Sequence, residues 1–184
     1  VYLYNRNADK IPAFMEKLAR EPELRDVPLY AAEDTDTLLE HADTVILATT
    51  STHPVLPESP ALFSGKTVIG VGSYRPEMQE LPKAAFDTAA LLALDTPHAR
   101  QESGDVMHPL EKGWIDAANV HAMGDLLQAS REDQTAQLKG YESVLEQGST
   151  LIYKSVGMAA FDLMAAAWIY TRAKTEGLGQ MLSL

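Results

Sequence analysis

The chain has 184 residues, 46% of them hydrophobic, no cysteine, and 15 basic against 26 acidic side chains for a net charge of −11. That length supports one domain and a little more, with enough apolar residues for a sizeable core, and the composition excludes disorder. Disulfides, thiolate nucleophiles and cysteine metal sites go with the missing cysteine, an acidic chain without a basic patch is unsuited to nucleic acid, and no apolar run reaches the roughly 20 residues of a membrane helix.

With no secretory signal pattern, a cytoplasmic protein is expected. Val1-Tyr-Leu-Tyr4 reads as a strand at once, so the natural beginning is expected upstream. Asn5-Arg6-Asn7 follows, and Ala8 to Arg20 fits an amphipathic helix with Ile11, Phe14, Met15 and Leu18 on one face. Val27 to Tyr30 is a short candidate strand, and Asp34-Thr-Asp caps a helix carrying Leu38 and Leu39. Thr44 to Ala48 and Lys66 to Val71 read as buried strands, which puts Val45, Ile46, Val68 and Ile69 inside. Ala84 to Ala90 is expected to be helical, and Leu91 to Leu94 a strand that ends at Asp95. Glu102-Ser-Gly-Asp105 reads as a polar turn and Val120 to Leu127 as a site for a last short strand. Ser155 to Glu176 forms a long helix closed by Gly177. Strands alternating with helices imply an α/β fold with a doubly wound parallel sheet in which the strands at Val1–Tyr4, Thr44–Ala48, Lys66–Val71 and Leu91–Leu94 are neighbours.

In such sheets ligands bind beyond the carboxyl ends of the strands, which directs attention to Gly72 to Arg75. An arginine after a strand, as at Arg6, suits the 2′-phosphate of NADP, with Asn5 as a further donor; a solvated loop arginine is the plainer account. Thr49, Thr50 and Ser51 carry hydroxyls able to cap a helix or meet a phosphate and ribose. His41, His53, His98, His108 and His121 lack metal spacing, so no metal is expected. Glu40 with Asp43, and Glu77 with Glu80, read as solvated charge.

Taken together, Asn5-Arg6, Ala48-Thr-Thr-Ser51, Gly72-Ser-Tyr-Arg-Pro-Glu-Met-Gln-Glu-Leu81, Glu102-Ser-Gly-Asp105 and Tyr153-Lys-Ser-Val-Gly-Met158 with Asp162 occur in an order that resembles the ornithine cyclodeaminase/mu-crystallin family. The resemblance implies a Rossmann-like sheet lacking its first strand and glycine-rich loop. It divides the chain into a partial NAD(P)-binding domain at 1–153 and, at 154–184, a helix returning to an absent substrate and dimerisation domain. Asn5, Arg6 and Asn7 would meet the adenosine ribose and its 2′-phosphate, and Thr49, Thr50 and Ser51 the ribose and cofactor backbone. Gly72, Ser73 and Tyr74 would border the nicotinamide, with Lys154, Ser155 and Gly157 closing the pocket; the substrate-binding basic residues would lie upstream.

Cyclodeaminases of this family place an acid/base aspartate where this sequence has Tyr74, and a lysine where it has Met78. The resemblance therefore points to the reductase branch: an enzyme preferring NADP(H), with NAD(H) possible, that reduces a cyclic ketimine such as 1-pyrroline-2-carboxylate, acting as a homodimer. Ornithine cyclodeamination, an alanine-dehydrogenase-like reaction and non-enzymatic ligand binding are the alternatives. The isolated 184 residues are expected to be inactive, with an apolar helix left uncovered.

Overall fold

The computed structural model describes residues 1–132 and 134–180. Its strands are β1 (Tyr2–Leu3), β2 (Tyr30–Ala31), β3 (Thr44–Leu47), β4 (Thr67–Gly70), β5 (Ala89–Leu94), β6 (Val120–Ala122) and β7 (Thr150–Lys154). The helices are α1 (Lys10–Ala19), α2 (Thr35–His41), α3 (Lys83–Asp87), α4 (Ala99–Glu102), α5 (Gly104–Glu111), α6 (Met123–Glu132), α7 (Gln134–Glu146) and α8 (Ala159–Glu176). Five strands form one sheet in the order β3-β4-β7-β5-β6, and every ladder in it is parallel. Parallel neighbours need crossovers, which the intervening helices and loops provide.

The core lies where Val45 and Leu47 of β3, Val68 of β4, Leu92 and Leu94 of β5 and Ile152 of β7 meet Leu39, Phe63, Leu81 and Phe86. Asp34 caps α2 as its sequence position requires, its carboxylate accepting the Thr37 N–H at 2.7 Å.

Several expectations need correction. Lys66–Val71 and Leu91–Leu94 are not adjacent, because β7 threads between them as the central strand. Thr150 to Lys154 alternates buried and half-buried residues, a strand absent from the sequence expectations. Ile46 is 66% exposed and Ile69 half-buried. The cause is the face: Ile46 and Ile69 are register partners on the side of the sheet away from Val45, Leu47 and Val68, and only the latter side is covered by the core. β1 does not join this sheet. It pairs in parallel with β2 alone, where the Tyr2 and Tyr30 rings stack at 4.9 Å, and no ladder links that pair to β3 among the described residues. In the 120–127 stretch the strand ends at Ala122 and helix α6 takes over.

The long helix is confirmed in type but starts at Ala159 and closes at Gly177, whose φ of 67° suits a residue without a Cβ. None of its residues is buried, and Phe161, Leu163, Met164, Trp168, Ile169 and Tyr170 are each more than half exposed. Apolar side chains on several sides of one helix require more cover than a single face can give. No helix among the described residues is long and apolar enough to cross a membrane.

The alternation along β3 sets a direct expectation. Leu47→Ala should destabilise the chain by about 2–5 kcal/mol in urea unfolding, whereas Ile46→Ala should stay within about 0.5 kcal/mol. A comparable loss at both positions would contradict cover on one face alone.

Candidate functional site

Because the ladders are parallel, β3, β4, β7 and β5 end at one edge of the sheet, and the loops after Leu47, Gly70, Lys154 and Leu94 leave it side by side. This edge is where ligands of open α/β sheets bind.

The loops are tied together from beneath by Glu80, which is fully buried. Its Oε1 accepts the Thr49 N–H at 2.5 Å, and its Oε2 accepts the N–H groups of Gly72 at 2.9 Å and Ser73 at 3.0 Å. One carboxylate thus satisfies donors from the ends of two adjacent strands, where the ladder stops and the N–H groups would otherwise be orphaned. The approach is close enough to demand glycine at position 72. A Cβ there would lie 1.9 Å from the Thr49 carbonyl oxygen and 2.5 Å from Glu80 Oε1.

Glu80 is itself held by Asp105, at the start of α5. Asp105 Oδ1 accepts the N–H groups of Glu80 at 2.7 Å and Leu81 at 2.8 Å. Lys154, the last residue of β7, brings its ammonium between the two carboxylates, 3.4 Å from Asp105 Oδ2 and 3.8 Å from Glu80 Oε2. All three side chains are buried, and Lys154 Nζ and Asp105 Oδ2 have no hydrogen-bond partner among the described residues. Burial raises the Asp105 carboxyl above the ordinary carboxylate range, outweighing the Leu81 N–H and the Lys154 charge that pull it down.

A third buried carboxylate, Asp95, stands at the end of β5. Its Oδ2 accepts the Ser155 hydroxyl at 2.7 Å, the Val156 N–H at 2.9 Å and the Gly157 N–H at 3.0 Å. This holds the β7–α8 connection against the sheet, with Gly157 at a φ of 87°.

The residues expected to bind a cofactor separate into two sets. Asn5, Arg6, Asn7, Thr49, Thr50 and Tyr74 are exposed. No interaction engages the Arg6 side chain among the described residues, and Asn5 and Asn7 use their amide oxygens to accept the N–H groups of Asn7 and Asp9. Tyr74 stands at the mouth with the Arg75 guanidinium 5.4 Å from its ring centre. The second set points inward. The Ser73 hydroxyl is buried, donating to the Met78 carbonyl at 2.7 Å and lying 2.8 Å from the Ser103 hydroxyl. Lys154 lies in the charge cluster beneath the crevice, not on its wall. The hydroxyls of Ser51 and Ser155 are bound to the His53 carbonyl and to Asp95.

Sequence reasoning missed Glu80, Asp105 and Asp95 as organising residues. Glu80 was paired with Glu77 as solvated charge, yet Glu77 is exposed and Glu80 buried. The stretch Glu102–Asp105, a polar turn by composition, has Ser103, Gly104 and Asp105 buried. The available signal was the strand period of 2, which places Lys154 in line with Thr150 and Ile152 on buried positions and so requires a buried partner. No group of His, Asp or Glu side chains placed to hold a metal ion occurs among the described residues.

Residues 1–177 match the ornithine cyclodeaminase/mu-crystallin family. A Delta(1)-pyrroline-2-carboxylate reductase of Bacillus cereus is 33% identical over 184 residues, covering 99% of this chain and 52% of the relative. Two solved structures share the fold, each with a TM-score of 0.75. The Delta(1)-pyrroline-2-carboxylate reductase of Thermococcus litoralis, in complex with NADH and L-proline, is 20% identical, with 98% of this chain and 52% of that one covered. The iminosuccinate reductase of Paracoccus denitrificans, in complex with NAD+, is 22% identical, with 100% and 52% covered. The chain spans about half the length of the curated relatives it matches.

The buried cluster makes stability depend on Lys154 in a pH-dependent way. Lys154→Met leaves two buried carboxylates without their cation, and at neutral pH should cost about 3–5 kcal/mol. Without that cation the Asp105 carboxyl rises further, so the folded variant binds a proton at a pH where the unfolded chain does not. A folded carboxyl raised in this way gains stability as pH falls. The difference between the two proteins in urea unfolding should therefore shrink from about pH 7.5 to about pH 5.5. A constant or growing difference would contradict the ion cluster.

Proposed function

Because the chain belongs to the ornithine cyclodeaminase/mu-crystallin family, we propose that the protein it comes from is a nicotinamide-dependent reductase of a cyclic ketimine such as 1-pyrroline-2-carboxylate, with a preference for NADP(H). The observation that carries the reductase assignment is the loop from Gly72 to Leu81. Tyr74 occupies the place of the cyclodeaminase acid/base aspartate, and the loop's buried carboxylate, Glu80, is committed to three backbone N–H groups. The relatives named as pyrroline-2-carboxylate reductases support the same substrate class.

The residues present suit a dinucleotide. Arg6, exposed at the carboxyl end of β1, has its guanidinium free for a 2′-phosphate, with the Asn5 and Asn7 amide groups as further donors. Thr49, Thr50 and Ser51 would run along the ribose. The backbone at Gly72 to Tyr74 would border the nicotinamide, and Ser155 and Gly157, held by Asp95, would form the opposite wall. A bound reduced nicotinamide supplies the hydride. The chain's own part is to hold the two reacting carbons in register and keep water out.

In this reading a strand of the complete protein lies between β1 and β3, where the ladder is interrupted. The exposed apolar side chains of α8 would be covered by a substrate domain and a second protomer.

The purified full-length protein should oxidise NADPH when supplied with 1-pyrroline-2-carboxylate; no turnover with any of a panel of cyclic imines would reject the reading. Arg6→Ala should weaken NADPH binding by about 1–3 kcal/mol in calorimetric titration, the scale of a charge-assisted bond, and leave NADH nearly unchanged. Equal losses for both would remove the 2′-phosphate role.

A further inference from the structure

We propose that the buried cluster of Lys154, Glu80 and Asp105 sets the crevice's preference between the oxidised and reduced nicotinamide ring, an inference that rests on the cofactor reading above. The cluster lies directly under the strand ends. A Cβ on Gly70 would be 3.3 Å from Lys154 Cδ, 3.5 Å from its Nζ and 3.9 Å from Asp105 Oδ2. The Glu80 carboxylate is in hydrogen-bond contact with Gly72 and Ser73, the backbone assigned to the ring.

Three features separate this cluster from a structural ion pair. It sets two carboxyl groups against one ammonium, so it is not a one-to-one pair. It is fully buried, so its field reaches the crevice with little screening by salt or water. Lys154 Nζ and Asp105 Oδ2 make no hydrogen bond among the described residues, so the ammonium contributes as a charge and not as a directed donor.

A nicotinamide ring is neutral when reduced and carries one positive charge when oxidised. A negative charge beneath it favours the oxidised form, and a positive charge the reduced form. Glu80→Gln removes a negative charge, and Lys154→Met a positive one. At a pH where Asp105 keeps the same protonation state in both variants, their effects on the ratio of affinities therefore have opposite signs. A role confined to holding the loops would weaken both cofactor forms together.

Dissociation constants of NADP+ and NADPH for the full-length protein and its variants, measured by calorimetry, decide the matter without any turnover. Glu80→Gln should raise the ratio of the NADP+ to the NADPH constant by about tenfold, the scale of one unit charge acting across about 12 Å at an effective dielectric of about 20. Lys154→Met should lower it. Glu80→Asp, which disturbs the hydrogen bonds but keeps the charge, should weaken both forms and leave the ratio in place. If one charge-removing variant does not fold, the sign of the shift in the other decides. Parallel weakening of both forms in Glu80→Gln and Lys154→Met, or shifts of the same sign, would overturn the proposal while leaving the cofactor reading intact. An unsubstituted protein that binds neither form would overturn the cofactor reading, and the proposal with it.

Discussion

One carboxylate carries the geometry of this crevice. Where β3 and β4 end, their backbone N–H groups lose ladder partners just as the chain turns into the loops that face a ligand. Glu80 takes the N–H groups of Thr49, Gly72 and Ser73 at once, fixing two loops to each other from below. Left unmade, the buried Ser73 N–H alone would carry a desolvation penalty of about 1–3 kcal/mol, so the loops have a strong reason to stay where Glu80 puts them. Gly72 follows from this constraint, because any side chain there would occupy the space of the Thr49 backbone.

A buried anion needs its own support, and the next layer supplies it. Asp105 orients the Glu80 backbone, Lys154 brings a cation from the end of the central strand, and Ser103 caps α5 while its hydroxyl lies beside that of Ser73. Asp95 repeats the device at the end of β5, taking two backbone N–H groups and one hydroxyl from the β7–α8 connection. The side chains of Thr49, Thr50 and Tyr74, beyond the ends of β3 and β4, are exposed. Buried carboxylates beneath hold the loops, and the exposed polar groups stand above them.

The strands with strong β-branched runs, β3 and β4, were legible in the sequence, as were the Asp34 cap and the length of α8. Strand order was not, since Thr150–Lys154 lies far along the chain from both strands it separates, and periodicity carries no information about neighbours. Exposure of Ile46 was equally hidden, because a strand covered on both faces and one covered on a single face share the same composition. At the strand ends, Gly72 was legible as a point of close backbone approach, because it follows a β-branched run. Glu80 and Asp105 escaped because a carboxylate in a polar loop reads as solvated. Only the fold reveals that the loop turns inward.

The organising role of Glu80 is tested most directly by amide hydrogen exchange at Thr49, Gly72 and Ser73. Although these residues lie beyond the strand ends, their N–H groups should exchange as slowly as those inside β3 and β4. In Glu80→Gln, which offers one acceptor oxygen in place of two, protection of these amides should fall by about tenfold or more while that of the strand interiors is kept. Rapid exchange at all three amides in the unsubstituted protein would contradict the account.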